Sequence, residues 1–152
     1  MSTVSRIQFT ATINATPAVV WYHITSPDSY KHWTSAFAEG SYFEGAWDTG
    51  SKIYFLSPSG DGMVSEIAES RMNEFISIRH LGFLSNGTED TTSDSVLSWA
   101  PAYENYTLLQ VPEGTRLVVD QDVPPEWEEH MNQAWPKAID LLKKLSESTS
   151  AA

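Results

Sequence analysis

The sequence predicts an α+β fold: a curved antiparallel β-sheet wrapped around one long C-terminal helix, with two short helices after the first strand. Three observations carry this. The chain opens on a strand-like alternation, continues through turn-punctuated strands between residues 42 and 123, and closes on an amphipathic helical pattern over 126–145.

In residues 6–13, Ile7, Phe9, Ala11 and Ile13 fall on one face and Gln8, Thr10 and Thr12 on the other, the period-two pattern of a half-buried strand. Thr16-Pro17 then supplies an N-cap and a proline at the first helical position. A short helix through Val19, Val20, Trp21 and Ile24 follows, and Ser26-Pro27 repeats the punctuation before a second one over 28–33. Turn signals fall at Asp48-Thr49-Gly50, at Ser57 to Gly62, at Asn86-Gly87 and at Pro112-Glu113-Gly114. They delimit strands over 53–56, 63–68, 75–81, 103–111 and 115–123, while the polar, acidic stretch 86–94 reads as a long loop or an edge.

Pro124-Pro125 ends the last strand. Beyond it, Trp127, Met131, Ala134, Ala138, Leu141, Leu142 and Leu145 keep close to one helical stripe, with Trp135 and Ile139 beside it. Glu126, Glu128 and Glu129 open this helix and Lys137, Lys143 and Lys144 come later, an order that complements the helix dipole. Pro136 should kink it near the middle. The small polar tail from Ser146 onward is expected to fray. One domain over residues 1–147 with a disordered tail at 148–152 is the expected organisation.

Composition removes several function classes. The 152 residues carry 9 Lys+Arg against 20 Asp+Glu, a formal charge of −11, and no cysteine. No disulfide, thiol nucleophile or Cys-type zinc site is available. The charge sign disfavours nucleic acid and anionic membrane surfaces, both of which call for Lys/Arg clusters. No stretch approaches a membrane span, and the polar start Met1 to Arg6 lacks a signal-peptide core, so a cytoplasmic location is expected. Six Trp, six Tyr and six Phe are the positive clue: a bulky core or an aromatic-lined pocket. One helix under a curved sheet leaves space between them, so a cavity is expected.

The residues from Arg6 to Glu147 resemble the START/Bet v 1-like helix-grip (SRPBCC) superfamily, within it the group named after the C-terminal domain of the Hsp90 ATPase activator. The carriers are the run from Ile13 to Trp21, Thr25-Ser26-Pro27, Trp33, Trp47 through Gly50, Gly62-Met63-Val64, Glu66-Ile67, Gly114 to Leu117, and Trp135-Pro136 with Leu141, Leu142, Lys143 and Glu147. The resemblance implies a helix-grip fold. It also implies one of three kinds of role: cavity binding of lipids, hormones or polyketides, polyketide cyclisation or dehydration, or contact with chaperones. It places the first half of the last helix over the cavity mouth. Fold alone does not choose among these roles.

His80 is the most informative titratable residue. It shares a strand face with Ile76 and Ile78, so a regular strand points it inward, and Glu104 and Tyr106 share a face with Leu108. These three side chains could form a polar patch in an apolar cavity, orienting a ligand, or His80 and Glu104 could move a proton, or all three could be structural. A one-residue bulge would invert the assignment. Trp33, Phe37, Trp47, Phe55, Trp99, Trp127 and Met131 are the candidates for cavity lining. Asp48-Thr49-Gly50-Ser51 matches the aspartic-protease loop only superficially and reads as a hairpin turn. No His-x-x-x-His or Glu-x-x-His pair suggests a metal, no phosphate loop appears, and no cofactor is expected.

The leading expectation is therefore a binding protein for a small hydrophobic or aromatic molecule. The alternatives are a cyclase- or dehydratase-like enzyme using His80 and Glu104, and a co-chaperone or stress-response interaction domain with a chaperone partner. A homodimer is compatible with any of them.

Overall fold

The structure is a computed structural model that describes residues 4–149. The first strand, β1 (Ser5–Ile13), alternates as its sequence predicts, with Ile7 and Ile13 buried. Helix α1 (Pro17–Thr25) starts on Thr16, whose hydroxyl accepts from the Val19 N–H at 3.3 Å. Helix α2 (Pro27–Trp33) follows after one residue, but Ser26 makes no side-chain cap bond; there the proline alone sets the start. A 3₁₀ turn over Thr34–Ala36 leads out of it.

The sheet strands are β2 (Tyr42–Gly45), β3 (Lys52–Leu56), β4 (Gly62–Arg71), β5 (Phe75–Ser85), β6 (Thr88–Asp90), β7 (Ala102–Val111) and β8 (Gly114–Val123). The order is β1-β8-β7-β5-β4-β3-β2, with β6 paired to β5, and every pairing is antiparallel. The 86–94 stretch resolves into both of its expected readings and one element more. Asn86 and Gly87 take φ of 52° and 76°, the left-handed pair a tight hairpin needs, and return the chain as the edge strand β6. A short helix α3 (Asp94–Leu97) then starts on Ser93, whose hydroxyl accepts from the Val96 N–H. The Asp48–Gly50 segment is a turn: the Ser51 N–H bonds the Asp48 carbonyl at 2.9 Å, and Asp48 is exposed.

Bulges matter to the site. The β4–β5 pairing shifts register twice: Leu81 of β5 is the extra residue at the Val64/Ser65 step and Ala68 of β4 at the Ile67/Glu69 step, each adding local bend and twist. Strand β5 keeps its inward face, with Ile76, Ile78 and His80 all buried.

Helix α4 (Pro125–Ser148) is one element through Pro136 and extends past Leu145. Its buried positions are Ala134, Trp135, Ala138, Ile139, Leu142 and Ser146. The stripe is thus centred on Trp135 and Ile139, which the sequence pattern set to the side. The cause is periodicity: the fully buried contacts run from Ala134 onward and define the face, whereas Met131 is only partly buried against the core and Trp127 stays 54% exposed. Ser146 is fully buried within α4, and the Thr149 hydroxyl donates to the Leu145 carbonyl at 2.9 Å. Residues 150–152 of the expected tail lie outside the described residues.

One core cluster joins the sheet to the helices. It includes Ile13, Val20, Ile24, Trp33, Ile53, Ile67, Ile76, Ile78, Leu117, Trp135 and Leu142. Within the described residues, no helix is long and apolar enough to cross a membrane.

Candidate functional site

The inward faces of four adjacent strands place a polar relay beneath α4. Register brings the members together. Ser65 on β4 stands opposite His80 on β5, and the His80 Nδ1 lies 2.7 Å from the Ser65 hydroxyl. Across the next pair His80 faces Ala102, so Glu104, two residues along β7, is its same-face diagonal neighbour. The His80 Nε2 is 2.9 Å from Glu104 Oε1. On β8, Gln121 stands directly opposite Glu104, and its amide nitrogen donates to Oε1 at 3.2 Å. The Tyr106 hydroxyl donates to Glu104 Oε2. Trp135 of α4 closes the relay, its indole N–H donating to the Gln121 carbonyl oxygen at 2.7 Å.

Donor chemistry fixes the polarity of this chain. An indole N–H can only donate, so the Gln121 oxygen must face Trp135 and its NH₂ must face Glu104. Glu104, an acceptor in its ionised form, then takes the Nε2–H of His80, which leaves Nδ1 as acceptor for the Ser65 hydroxyl in the neutral imidazole. Burial raises the Tyr106 pKa well above the usual tyrosine value, and the Glu104 charge and hydrogen bond push it further the same way. Burial also raises Tyr30 strongly, with the Glu104 charge adding to it. Both phenols therefore stay protonated donors, and the negative field of Glu104 reaches across the interior.

Ser65, His80 and Glu104 have the composition of a nucleophilic triad but not its layout. Ser65 is fully buried and does not line the cavity. Its hydroxyl is turned to the imidazole and not to the cavity, so in this arrangement it orients His80.

The relay borders a cavity of about 480 Å³ between the sheet, α2 and the first half of α4. Trp33, Phe37, Phe55, Trp99, Trp127 and Met131 line it together with His80, Glu104 and Tyr106, so nine of the ten expected site residues face this one space. Trp47 does not. It sits on the loop after β2 and packs against Tyr30, Phe43 and Phe55 at centroid distances of 6.3, 5.2 and 5.8 Å, so Tyr30 and Phe55 stand between it and the cavity they line. The inner wall is a ring contact network: Phe37 meets Trp135 edge-on at 4.8 Å, and Trp33 and Tyr106 lie 6.3 and 6.0 Å from Trp135. Outside, the cavity adjoins a broader recess of about 740 Å³ that shares Tyr30, Phe55, Phe83 and Trp127 with it.

Four contributors were not anticipated from the sequence. Tyr30 and Phe83 line the cavity, and Gln121 and Trp135 complete its polar end. Gln121 was legible: on β8 it alternates with Leu117, Val119 and Val123, the one amide on an apolar face. Among the described residues, no group of three or more His, Asp or Glu could hold a metal ion.

Comparison with known proteins fits this architecture. Residues 14–147 match the family model described as "Activator of Hsp90 ATPase homolog 1-like protein". The chain belongs to this family. Comparison with curated proteins finds no match. Among solved structures, a protein from Mesorhizobium loti superimposes with a TM-score of 0.75 at 17% identity, covering 96% of this chain and 99% of that one. The Aha1 dimer from Colwellia psychrerythraea gives 0.72 at 19% identity, covering 97% and 99%. A Chromobacterium violaceum protein gives 0.67 at 19% identity, covering 93% and 96%. At these identities the likeness establishes the shared helix-grip fold.

Proposed function

We propose that this chain is a ligand-binding domain that seats a small apolar or aromatic molecule between its sheet and α4. The observation that carries this reading is the cavity of about 480 Å³ with aromatic walls and one organised polar end, the combination by which pockets hold and orient ligands. Trp33, Phe37, Phe55, Trp99, Trp127 and Met131 supply the walls; His80, Glu104 and Tyr106 supply orientation. Thermal melts in the presence of a panel of aromatic compounds test it. A binder should raise the Tm in proportion to the logarithm of its concentration. Filling the space with Ala38→Trp, a residue on the cavity wall, should abolish that shift while the fold persists. A panel without any shift, or shifts that survive the filled cavity, would overturn the reading.

A second reading is an interaction domain acting on a chaperone. The family match and the likeness to the Aha1 dimer favour it more directly than they favour a small ligand. That family background also accords with a non-enzymatic role, as does the inaccessible Ser65. Adding the protein to a cognate Hsp90 should raise its ATPase rate; an unchanged rate would remove this reading.

A further inference from the structure

Among the described residues of the cavity lining, the carboxylate of Glu104 meets no lysine or arginine; the basic side chains there are His80, which is bonded to it, and His130. Glu104 Oε1 accepts from both His80 and Gln121, whereas Oε2 accepts only from Tyr106, leaving one acceptor position on Oε2 unfilled among the described residues. A carboxylate oxygen has room for two donors. Glu126 adds a second carboxylate to the lining, and Asp61 and Asp90 border the outer recess. Asp122, which also lines the cavity, is engaged by Arg6 at 2.6 Å. Among the described residues lining either space there is no lysine or arginine.

The walls act in the same direction. Trp33, Phe37, Trp99 and Trp135 present aromatic rings, whose faces attract cations and repel anions. A carboxylic acid or anionic lipid entering here would bring a second negative charge to Glu104 in a poorly hydrated space. A hydrocarbon would strip water from Glu104 and give nothing back. A protonated amine does neither, since it supplies the missing donor and the opposite charge at once.

We propose that the cavity selects an amphipathic cation: an aromatic or apolar molecule with one protonated amine, its ammonium on Glu104 Oε2 and its apolar body against the rings. The inference rests on the reading of the cavity as a ligand site and narrows it to a ligand class.

Calorimetric titration with three probes of one skeleton, tryptamine, indole and indole acetate, tests it at neutral pH. Tryptamine should bind at least about tenfold more tightly than indole, the worth of one charge-assisted hydrogen bond, and indole acetate should bind weakest. In Glu104→Gln the ratio of tryptamine affinity to indole affinity should fall to about one. If that variant does not fold, as circular dichroism will show, the series on the unaltered protein decides alone. Indole or indole acetate binding as tightly as tryptamine would overturn the charge selection and leave the cavity reading intact. Heat-silent titrations with all three, repeated at two temperatures, would overturn both.

Discussion

Trp135 and Gln121 are the pair that gives the interior its direction. The indole N–H at 2.7 Å from the Gln121 oxygen comes from a fully buried side chain on α4, so a helix residue decides which way an amide on β8 points. Through that amide it decides what Glu104 meets. Trp135→Phe keeps most of the ring packing and removes only the donor. It should lower unfolding stability by about 1–3 kcal/mol, the cost of leaving a buried acceptor without a partner. Urea unfolding monitored by circular dichroism reads this. Gln121→Leu alone should cost a similar amount, and the double variant should cost clearly less than the sum, since the two side chains act as a unit.

Ser65→Ala tests whether the serine orients or reacts. The variant removes the Ser65 hydroxyl, the partner of His80 Nδ1 among the described residues, from a buried position. A stability loss of about 1–3 kcal/mol is expected by thermal or urea unfolding. Conversely, phenylmethylsulfonyl fluoride should leave the native protein unlabelled by mass spectrometry, because the hydroxyl is fully buried. Stoichiometric labelling at Ser65 would mean that the triad is an accessible nucleophile after all.

How far the site was legible in the sequence depends on what placed each residue. His80, Glu104 and Tyr106 were legible because β5 alternates from Ile76 through His80, its bulge coming one residue later at Leu81, and β7 alternates through Glu104 and Tyr106. Trp135 was not, because a helical stripe has a width of several residues and the sequence does not say which edge of it meets the sheet. Trp47 was misplaced for the opposite reason: a tryptophan on a loop has no periodicity, and hydrophobicity alone cannot say whether it lines the cavity or backs the residues that do. Strand β2 and helix α3, four residues each, fall below the length at which periodic patterns are distinguishable.

Trp33 and Trp47 differ in a way that substitution to Phe should expose. Trp33 donates its indole N–H to the His23 carbonyl at 3.0 Å, inside the core. The Trp47 Nε1 is buried without a hydrogen-bond partner among the described residues. Trp33→Phe loses a bond and orphans a buried carbonyl, whereas Trp47→Phe removes an orphan donor. Trp33 is also the more deeply buried of the two, so the first variant should be less stable than the second by at least about 1–3 kcal/mol in parallel urea titrations.

His23 joins the end of α4 to the two short helices and should make stability pH-dependent. Thr149 donates its hydroxyl to the Leu145 carbonyl at 2.9 Å, so toward His23 Nε2, 2.6 Å away, it acts as acceptor and the imidazole carries its proton there. Nδ1 is then the acceptor for the Ser29 hydroxyl at 2.7 Å. This neutral arrangement agrees with the pKa, which burial lowers below its ordinary value of 6.5. The unfolded chain therefore binds a proton at His23 more readily than the folded one. The contribution is fully present above about pH 6.5 and is lost as pH falls through the lower folded value. Thermal melts taken stepwise from neutral to mildly acidic pH should show Tm falling, and His23→Gln, which keeps a donor and an acceptor but cannot titrate, should flatten that part of the slope. An unchanged slope in the variant would assign the acid sensitivity to the carboxylates instead.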